Sequence, residues 1–420
     1  MPVVEPISVV STARGRSRSS SRASNRRRAS ARRGAEVRLL YVIDSLAPFG
    51  AEQSLTALAP RYRARGIGLD VAYLKEGPGL LEELQVGGAR CFRVDGGKGR
   101  VARIRSLRSL IEYRRPDLIH TTLFEADIAG RIAGAAERVP VVSSLVSEPY
   151  GREHAEDPRI APWRLRGAQL VDGATARLVR RFHALTSHGA DVMGRRLRIA
   201  RSRIDVIPRG RDLVALGTRN PERRQRIRRS LGIGDDERLV LAVARQEHQK
   251  GLDVLLRAMP AVRAQLPARL IVAGREGGQS PLLRRLIRDL RLDGAVSFLG
   301  VRRDVPDLLA SADAFAFPSR FEGFGCALLE AMALEAPVVA SDLGPIREVV
   351  GPDMPALLVP TDDPCALGRA VVSTLMDGPG AASRVEVART RFLQQFTIER
   401  VADDMVRFYE RALAEGEVDT

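Results

Sequence analysis

Residues 314–333 read AFAFPSRFEGFGCALLEAMA. The run Ala314–Ser319 predicts a short buried strand, and the residues after Gly325 open a helix. In the loop between them, Gly323 and Gly325 let the backbone turn tightly and approach a ligand closely. The new helix would present free N–H groups and the positive end of its dipole, which suits a phosphate group. The stretch therefore predicts a strand–loop–helix unit of an α/β fold, with an anion-binding loop after the strand.

Similar apolar runs recur along the chain, with segments of helical period between several of them. Such runs are typical of buried parallel strands, and strands that alternate with helices build doubly wound sheets. The alternation begins at Val37 and restarts after a polar, arginine-heavy stretch at 209–238. The predicted strands are Val37–Asp44, Leu69–Lys75, Leu118–Phe124, Val141–Val146, Phe182–Ser187, Ile204–Pro208, Leu239–Arg245, Ala268–Gly274, Val296–Gly300, Ala314–Ser319, Pro337–Ser341 and Ala356–Pro360. Two such sets predict two Rossmann-like domains that face each other across a cleft.

The chain divides into four predicted parts. A disordered Arg/Ser-rich arm covers 1–36, and an N-terminal Rossmann-like domain covers 37–208. A linker and a C-terminal Rossmann-like domain cover 209–396, and a final amphipathic helix with a tail covers 397–420. Open α/β sheets bind ligands beyond the carboxyl ends of their strands, so we expect the site in the cleft between the two domains.

The composition excludes several classes of protein. Of 420 residues, 45% are hydrophobic and 28% are charged, which argues against wholesale disorder and against a collagen-like chain. No stretch of about eighteen residues is free of charge, so the sequence predicts no membrane-spanning helix. The cysteines Cys91, Cys326 and Cys365 form no CxxC pair. This excludes a disulfide framework and a cysteine-based zinc site, and it indicates a reducing cytoplasm.

The net charge of +16 is unevenly distributed. Half of it lies in residues 1–34, where nine arginines stand against the single acid Glu5. This arm has few large apolar side chains, so we expect it to be disordered. It is either an unselected tail or a segment that adheres to anionic lipid or nucleic acid. We favour the former because composition alone is a weak guide to binding.

A second motif, Val243–Gly251, reads VARQEHQKG and follows the first predicted strand of the second domain. Arg245 and Lys250 bracket a loop that can hold a diphosphate, where two cations would stabilise the charge of a leaving nucleoside diphosphate. Only three of the 67 basic residues are lysines, so a lysine here indicates that a specific shape is required. The alternative is a pair of solvated surface bases.

The carboxylates of Glu322 and Glu330 can point into the same cleft. A carboxylate is a good acceptor for vicinal sugar hydroxyls. Alternatively, the two residues are ordinary acids near a helix start, where they favour the dipole. A Glu–x₇–Glu spacing is common by chance, but one placed in an EGFG loop after a strand is not.

These motifs occur in the order typical of the donor domain of glycosyltransferase family 4, which has the GT-B fold. The resemblance is carried by Arg245…Lys250-Gly251, Phe298-Leu-Gly300, Pro318-Ser-Arg-Phe-Glu322-Gly-Phe-Gly325…Glu330-Ala-Met-Ala, Pro337-Val-Val-Ala-Ser and Gly344-Pro-Ile-Arg-Glu348-Val-Val. It implies a retaining glycosyltransferase that uses a UDP- or GDP-linked sugar and needs no metal or other cofactor. It also implies that Arg245 and Lys250 hold the diphosphate. Glu322 would contact the sugar, and Glu330 the ribose.

The first domain, which the resemblance makes the acceptor-binding domain, matches the family less closely. Asp44–Glu52 is similar to the family's Gly-rich turn, with Phe49 in place of the first glycine. Pro116–Asp127 resembles its His-x-His segment, with Thr122 in the second histidine position. The implied catalytic residues are Glu322, Arg245, Lys250, His120 and Thr122. The implied donor-binding residues are Glu330, Gly323, Phe324, Gly325, Gly50, Gly274 and Gly300.

Other titratable residues carry weaker signals. His120 is alternatively a strand histidine whose hydrogen bonds are satisfied internally. The remaining histidines, His154, His183, His188 and His248, have no partner spacing, and we expect them on the surface or in loops. No metal site is expected, because neither Asp235-Asp236 nor Asp362-Asp363 stands at a strand end and no HExxH or P-loop motif occurs.

The acceptor is left open among a cell-envelope polysaccharide, a lipid-linked sugar and a small metabolite. A membrane-borne acceptor would suit the arginines of one helical region, which alternatively form a solvated face. These arginines are Arg103, Arg105, Arg108, Arg114 and Arg115. We expect a cytoplasmic location, with peripheral contact at the inner face of an anionic plasma membrane left open, and no specific nucleic-acid partner.

Three other functions stay open at this point. A GT-B-like sugar-nucleotide epimerase would convert the donor with no acceptor present. A degenerate transferase would bind the donor without turnover, as the departures at Phe49 and Thr122 suggest. Binding of nucleic acid through the arm would be steeply salt-dependent and would disappear when residues 1–34 are deleted.

Overall fold

The computed structural model describes residues 36–77, 79–94, 99–148, 150, 161–353 and 355–415. The Arg/Ser-rich arm before residue 36 and His154 lie outside the described residues. The strands are β1 (Val37–Ile43), β2 (Ile67–Tyr73), β3 (Arg90–Arg93), β4 (Leu118–Thr122), β5 (Val141–Leu145), β6 (Arg181–Ala184), β7 (Ile204–Val206), β8 (Arg238–Val243), β9 (Ala268–Ala273), β10 (Val296–Phe298), β11 (Ala314–Phe317), β12 (Val338–Ser341) and β13 (Leu357–Val359).

Helices lie between most of the strands. The α-helices are α1 (Gly50–Ala64), α2 (Leu81–Val86), α3 (Arg100–Arg114), α4 (Phe124–Ala136), α5 (Pro162–Thr175), α6 (Ser187–Leu197), α7 (Leu213–Leu216), α8 (Pro221–Ser230), α9 (Leu252–Arg263), α10 (Ser280–Asp289), α11 (Val305–Ser311), α12 (Cys326–Ala333), α13 (Gly344–Val350), α14 (Pro364–Met376), α15 (Gly378–Gln395) and α16 (Ile398–Ala414). Short 3₁₀ turns occur at Ala176–Leu178, Arg201–Arg203 and His248–Lys250. Within the described residues, no helix is both long enough and apolar enough to cross a bilayer.

The strands form two parallel sheets. The first has the order β3-β2-β1-β4-β5-β6-β7, and the second has the order β10-β9-β8-β11-β12-β13. The strand order reverses between β1 and β4 and again between β8 and β11, which are the switch points where doubly wound sheets bind ligands. The prediction of two doubly wound α/β domains is confirmed. The loops that contain Arg245–Gly251 and Ser319–Gly325 follow the neighbouring strands β8 and β11.

Continuous apolar sequence explains why these strands lie at the centre of the sheets. Leu239–Ala242 of β8 and Ala314–Phe317 of β11 are buried, as strands covered by helices on both faces must be. The edge strand β3 was not predicted because its sequence, RCFR, is short and begins and ends with exposed arginines. An edge strand needs no apolar face of its own, so the sequence carries little signal for it.

The final helix, α16, packs on the first sheet rather than the second. Met405, Phe408 and Tyr409 join the core formed by Tyr41 and Tyr62 of the N-terminal domain. The Tyr409 hydroxyl is hydrogen-bonded to that of Tyr62 at 3.1 Å. Burying one such aromatic side chain contributes about 1.5–3 kcal/mol to the free energy of unfolding, so α16 packs firmly on the first sheet.

A buried charge network lies on the opposite face of the first sheet. The guanidinium of Arg131 in α4 is fully buried and pairs with Asp172 at 2.6 Å and Asp127 at 3.4 Å. Burial raises the pKa of the Asp127 carboxyl to about 7, although Arg131 opposes this. The network fixes α4 against α5, because removing the arginine would leave two carboxylates without a cation in the interior.

Candidate active site

An ion pair occupies the switch point of the second sheet. The ammonium of Lys250, after β8, contacts the carboxylate of Glu322, after β11, and the Ser319 hydroxyl donates to the same carboxylate at 3.0 Å. The side chains of Lys250 and Glu322 are only 16% and 8% exposed. The structure therefore brings together the cation and the acid that the two motifs supply, as neighbours in one loop cluster.

Backbone contacts hold the two loops together. The Arg320 amide donates to the Gln249 carbonyl at 2.8 Å, and the Gln249 side chain donates to the Phe321 carbonyl at 3.0 Å. Gly251 has a φ of +59°, and a Cβ atom there would lie 2.0 Å from the Pro318 carbonyl oxygen. Only glycine fits this position, because the left-handed backbone and the close approach both exclude a side chain.

Arg245 stands beside the same cluster with its charge uncompensated. Its guanidinium reaches only the Gln249 side-chain oxygen, at 3.4 Å, and it pairs with no acid in the described part of the chain. Gly274 lies against its backbone: a Cβ atom on Gly274 would meet the Ala244 carbonyl at 1.9 Å. The Gly274 amide also donates to the Gly300 carbonyl at 2.8 Å. The predicted residues Gly274 and Gly300 are thus joined to each other beside Arg245.

Two arginines of the interdomain segment, which follows β7, contact α12, the helix after the EGFG loop. Arg211 pairs with Glu330 at 2.7 Å, and Arg209 donates to the Cys326 sulfur at 3.3 Å. The Arg209 guanidinium also covers Gly50, because a Cβ atom there would lie 2.2 Å from its Nη1. Gly50, Cys326 and Glu330 are therefore gathered around these two cations.

The electrostatic effect of this cluster is visible at the Cys326 thiol. Burial raises the pKa of this thiol, but the charges of Arg211 and Arg209 outweigh burial and hold the pKa below its ordinary value. Sequence reasoning did not assign a role to Arg209, Arg211 or Cys326. Cys326 directly follows the EGFG loop, and the available signal for Arg209 and Arg211 was their position directly after the last predicted strand of the first domain.

The structure differs from the prediction at His120. This residue is 1% exposed, and its two ring nitrogens are hydrogen-bonded to the hydroxyls of Tyr409 at 2.8 Å and Ser144 at 2.7 Å. Burial lowers the pKa of His120 well below its ordinary value, and the nearby His183 adds to this. It borders a cavity of about 40 Å³ whose lining also includes Val146 and Arg209. In this structure both ring nitrogens of His120 are held by hydrogen bonds inside the first domain and to α16.

Thr122 and Phe324 also differ from the prediction. The Thr122 hydroxyl is buried and hydrogen-bonded to the Tyr41 hydroxyl at 2.7 Å, inside the first domain. The Phe324 side chain is 4% exposed and packs edge-on against Phe396, with ring centroids 6.2 Å apart, in the core of the second domain. Thr122 is held by a buried hydrogen bond and Phe324 by ring packing in the core, so neither side chain is available to a donor.

His183 is a further correction, since it was expected on the surface or in a loop. It lies on β6 and is buried, with hydrogen bonds to Ser144 at 2.8 Å and to the Ile207 carbonyl at 2.8 Å. Burial lowers the pKa of His183 to about 4. Together with His120 it forms a hydrogen-bonded chain through Ser144 between the sheet and α16.

Several contacts cross the cleft between the two domains. The guanidinium of Arg275 lies 5.6 Å from the ring centroid of Phe49, the residue that replaces a family glycine. A Cβ atom on Gly323 would lie 3.0 Å from the Val146 carbonyl oxygen. The carboxylate of Glu348 accepts hydrogen bonds from the backbone at the start of α6. The cleft is thus narrow at the EGFG loop, where Gly323 and Gly325 predicted close backbone approach.

The described residues hold no group of three or more His, Cys, Asp or Glu side chains that could bind a metal ion. The groups that can receive negative charge are instead Arg245, Lys250 and the N-terminus of α12. Opposite them, the carboxylates of Glu322 and Glu330 can accept hydroxyl hydrogen bonds.

Two doubly wound domains with a charged cleft at their switch points define the GT-B type of glycosyltransferase. The crystal structure of Anabaena HepE in complex with UDP and glucose has this fold in common with the chain, with a TM-score of 0.78 over 90% of this chain and 100% of that one. The identity between them is 23%. WaaG, a glycosyltransferase involved in lipopolysaccharide biosynthesis, gives a TM-score of 0.67 at 17% identity, covering 87% of this chain and 98% of that one.

The chain belongs to glycosyltransferase family 4. The family 4 model matches residues 49–214, and the model for glycosyl transferases group 1 matches residues 237–377. The chain is 30% identical over 305 residues to the 2-deoxystreptamine N-acetyl-D-glucosaminyltransferase of Streptomyces fradiae. The aligned region covers 69% of this chain and 70% of that enzyme. It is 29% identical over 397 residues to the D-inositol 3-phosphate glycosyltransferase of Xylanimonas cellulosilytica, which covers 92% of this chain and 89% of that enzyme.

Other relatives match over a shorter length. The lipopolysaccharide core biosynthesis mannosyltransferase LpsB of Rhizobium meliloti is 35% identical over 196 residues, which is 44% of this chain. The chain spans about half the length of this relative (54%) and of an uncharacterized glycosyltransferase of Methanocaldococcus jannaschii (50%).

Proposed function

We propose that this protein transfers a sugar, with retention of anomeric configuration, from a UDP- or GDP-linked donor to an acceptor held by the N-terminal domain. The observation that carries the proposal is the cluster of Lys250, Glu322 and the unpaired Arg245 at the β8–β11 switch point. It combines a carboxylate suited to sugar hydroxyls with two cations suited to a diphosphate, and it lies where doubly wound sheets bind ligands.

In this proposal the charge of the leaving diphosphate is stabilised without a metal. Arg245 and Lys250 approach the diphosphate from the β8 loop, and the free N–H groups of α12 approach it from the other side. Lys250 would then be shared between Glu322 and the diphosphate. Because Glu322 keeps the Ser319 hydroxyl as a second partner, its carboxylate stays oriented while its other oxygen accepts from the sugar.

The second carboxylate has a different role. Arg211 pairs with Glu330 at 2.7 Å and fixes the direction of its carboxylate, which leaves an oxygen to accept hydrogen bonds from the two hydroxyls of a ribose. Arg209 covers Gly50 and Cys326 from the interdomain segment. It therefore adds positive charge between the start of α1 and the start of α12, where the N-terminal domain closes on the donor.

The comparisons support this proposal at the level of chemical class. HepE is described in complexes with UDP and with UDP-glucose, which favours a nucleotide sugar as donor. LpsB is named for lipopolysaccharide core biosynthesis, and other relatives are named for transfer to inositol 3-phosphate. We therefore propose an acceptor of the cell-envelope or polysaccharide class, either a sugar or a lipid-linked sugar, and a cytoplasmic site of action.

A thermal-shift and turnover screen against a panel of nucleotide sugars, with and without EDTA, tests the proposal. We expect one nucleotide to raise the unfolding temperature, no loss of this effect in EDTA, and no donor effect in Lys250→Met. The control variant Arg407→Met removes one partner of an exposed ion pair in α16, far from the cleft, and should respond to the donor as the unchanged protein does. Loss of donor binding in EDTA would contradict the metal-free site. Conversion of the donor to its epimer without an acceptor would replace the transferase by an epimerase.

A further inference from the structure

The solvent-facing side of α5 is apolar, which is the reverse of an ordinary surface helix. Trp163 is 70% exposed and Leu170 is 74% exposed, and Leu178 in the following 3₁₀ turn is 44% exposed. The helix instead turns Asp172 and Thr175 inward, where both are buried and bound to Arg131. Single exposed apolar residues are normal on a protein surface, but three on one face call for an explanation.

The exposed residues of α5 form a stripe with arginines on both sides. At about 100° per residue, Trp163, Leu170 and Ala174 fall within roughly 40° of one another on the helix circumference. Arg166 lies on one side of this stripe and Arg164 on the other, and Arg177 follows in the 3₁₀ turn. The guanidinium of Arg164 is 5.2 Å from the ring centroid of Trp163.

Within the described residues Pro162–Leu178, the exposed charge is of one sign. Arg164, Arg166 and Arg177 are exposed, and none of them pairs with an acid in the described part of the chain. Asp172 is the only acid between Pro162 and Leu178, and it is buried. Three cations on the rim of an apolar stripe, with no exposed acid in this segment, are complementary to a surface that is anionic above and apolar below.

The neighbouring arginine-rich helix α3 does not offer such a surface. Arg100 pairs with Glu125 at 2.8 Å, Arg108 pairs with Glu137 at 2.6 Å, and Arg114 pairs with Asp70 at 2.7 Å. These three arginines are neutralised by acids of the protein itself. Arg105 is exposed and pairs with no acid in the described residues, so the charge of α3 is compensated in large part but not completely.

We propose that the Trp163–Leu178 face docks on an anionic lipid bilayer. Trp163, Leu170 and Leu178 would enter the interfacial region, where an indole ring is favoured, and the arginine stems would lie along the surface with their guanidinium groups at the phosphates. A second copy of the chain is a poor occupant, because a symmetric contact would place these arginines against their own copies. The proposal is independent of the donor chemistry proposed above.

Trp163 is the only tryptophan in the chain, so its fluorescence reports on this face alone. The full-length protein is mixed with vesicles of phosphatidylcholine, and with vesicles of phosphatidylcholine and phosphatidylglycerol. With the anionic vesicles we expect the emission to shift to shorter wavelength and to be quenched by bromine-labelled acyl chains. Binding through the arginine-rich arm alone would bring the protein to the vesicles but leave the Trp163 emission unchanged, and that result would overturn the proposal.

Two variants and their controls separate the two parts of the face. Leu170→Ser with Leu178→Ser should weaken the anionic-vesicle titration followed by Trp163 emission at least tenfold. Arg164→Gln, Arg166→Gln and Arg177→Gln together should do the same and reduce its salt dependence, because the arginines of residues 1–34 remain. Two control variants change exposed residues of the other domain and should have no effect on vesicle binding. The apolar control combines Val301→Ser with Met376→Ser, and the charge control combines Arg285→Gln, Arg288→Gln and Arg303→Gln. Three results would each contradict docking on an anionic bilayer. The first is an equal loss of binding in the control variants, and the second is an equal response to uncharged vesicles. The third is an emission shift that depends on protein concentration in the absence of vesicles.

Discussion

The Lys250–Glu322 pair allows structural and catalytic roles to be separated in one double-mutant cycle. Lys250→Met removes the cation and leaves the Glu322 carboxylate, 8% exposed, with only the Ser319 hydroxyl as partner. Removing one member of a buried pair costs about 3–5 kcal/mol, because a charge is left in the interior without compensation. At roughly 2–4 °C per kcal/mol for a domain of this size, a cost of 3 kcal/mol lowers the unfolding temperature by about 6–12 °C.

The double variant Lys250→Met/Glu322→Gln should regain most of that stability. Replacing both members of a buried pair by neutral groups of similar volume is often nearly neutral, because no unpaired charge remains. Catalysis should not recover, since both the cation for the diphosphate and the carboxylate for the sugar are gone. We expect kcat to fall on the order of 10²–10³-fold in the single variant and at least as far in the double variant.

The assay is thermal unfolding together with single-turnover transfer, measured for the unchanged protein, both single variants and the double variant. The pair Arg407→Met and Asp404→Asn in α16 is the matched control, because this exposed ion pair should contribute less than about 1 kcal/mol. Recovery of turnover together with stability in the double variant would refute the catalytic assignment and leave the pair a purely structural contact. Full activity in Lys250→Met would refute it directly.

Three further predictions concern pH, buried charge and backbone. Because burial lowers the folded-state pKa of His183 to about 4 from the ordinary 6.5, the contribution of this residue to stability should be intact above pH 6.5 and decline by up to about 3 kcal/mol as pH falls to 4. His120 acts in the same direction, and Asp127, whose pKa is raised to about 7, acts in the opposite one, so the contribution of His183 is the difference between the urea-unfolding pH profiles of the unchanged protein and of His183→Gln. In the same assay, Arg131→Met should lower the free energy of unfolding by about 3–5 kcal/mol, whereas the control Arg100→Met, at an exposed position, should lower it by less than about 1 kcal/mol. Equal effects of the two variants would contradict the buried network. Gly251→Ala should abolish the donor thermal shift, whereas Gly234→Ala, with open space around its Cα, should preserve it; an unchanged shift in Gly251→Ala would show that the close approach is not needed.

The fold could be predicted from the sequence because most strands are continuous apolar runs. Leu239–Ala242 and Leu270–Ala273 are buried on both sides, so their hydrophobicity is local information and needs no knowledge of the partners. Most strand ends were predicted one to three residues too long; at Ala314–Ser319 the reason is that Pro318 and Ser319, which follow the strand, are also buried. β3 carries no such run and was missed for that reason.

The two sides of the cleft were predicted unequally well. Lys250 and Glu322 follow neighbouring strands, and the strand alternation alone places the ends of such strands together. The environment of His120, in contrast, depends on Tyr409, which lies 289 residues further along the chain. No local pattern predicts that α16 returns to the first sheet, so the hydrogen bond between His120 and Tyr409 could not be predicted. Phe324 failed for the same reason, since its partner Phe396 is supplied by the end of α15.

Several contacts between the domains, among the residues that the structure describes, are of a kind that can be broken at small cost, whereas Leu185 of the first domain packs into the core of the second. The Phe49–Arg275 contact is a partly exposed cation–π pair, worth about 0.5–1 kcal/mol. The Gly323–Val146 approach involves backbone alone, and Glu348 binds two amides at the surface of α6. The firm connections lie elsewhere, in α16 on the first sheet and in Arg209 and Arg211 against α12. In the proposed function, a bound donor would neutralise Arg245, Lys250 and Arg209 together and would so draw the two domains together around the interdomain segment, while both sheets stay intact.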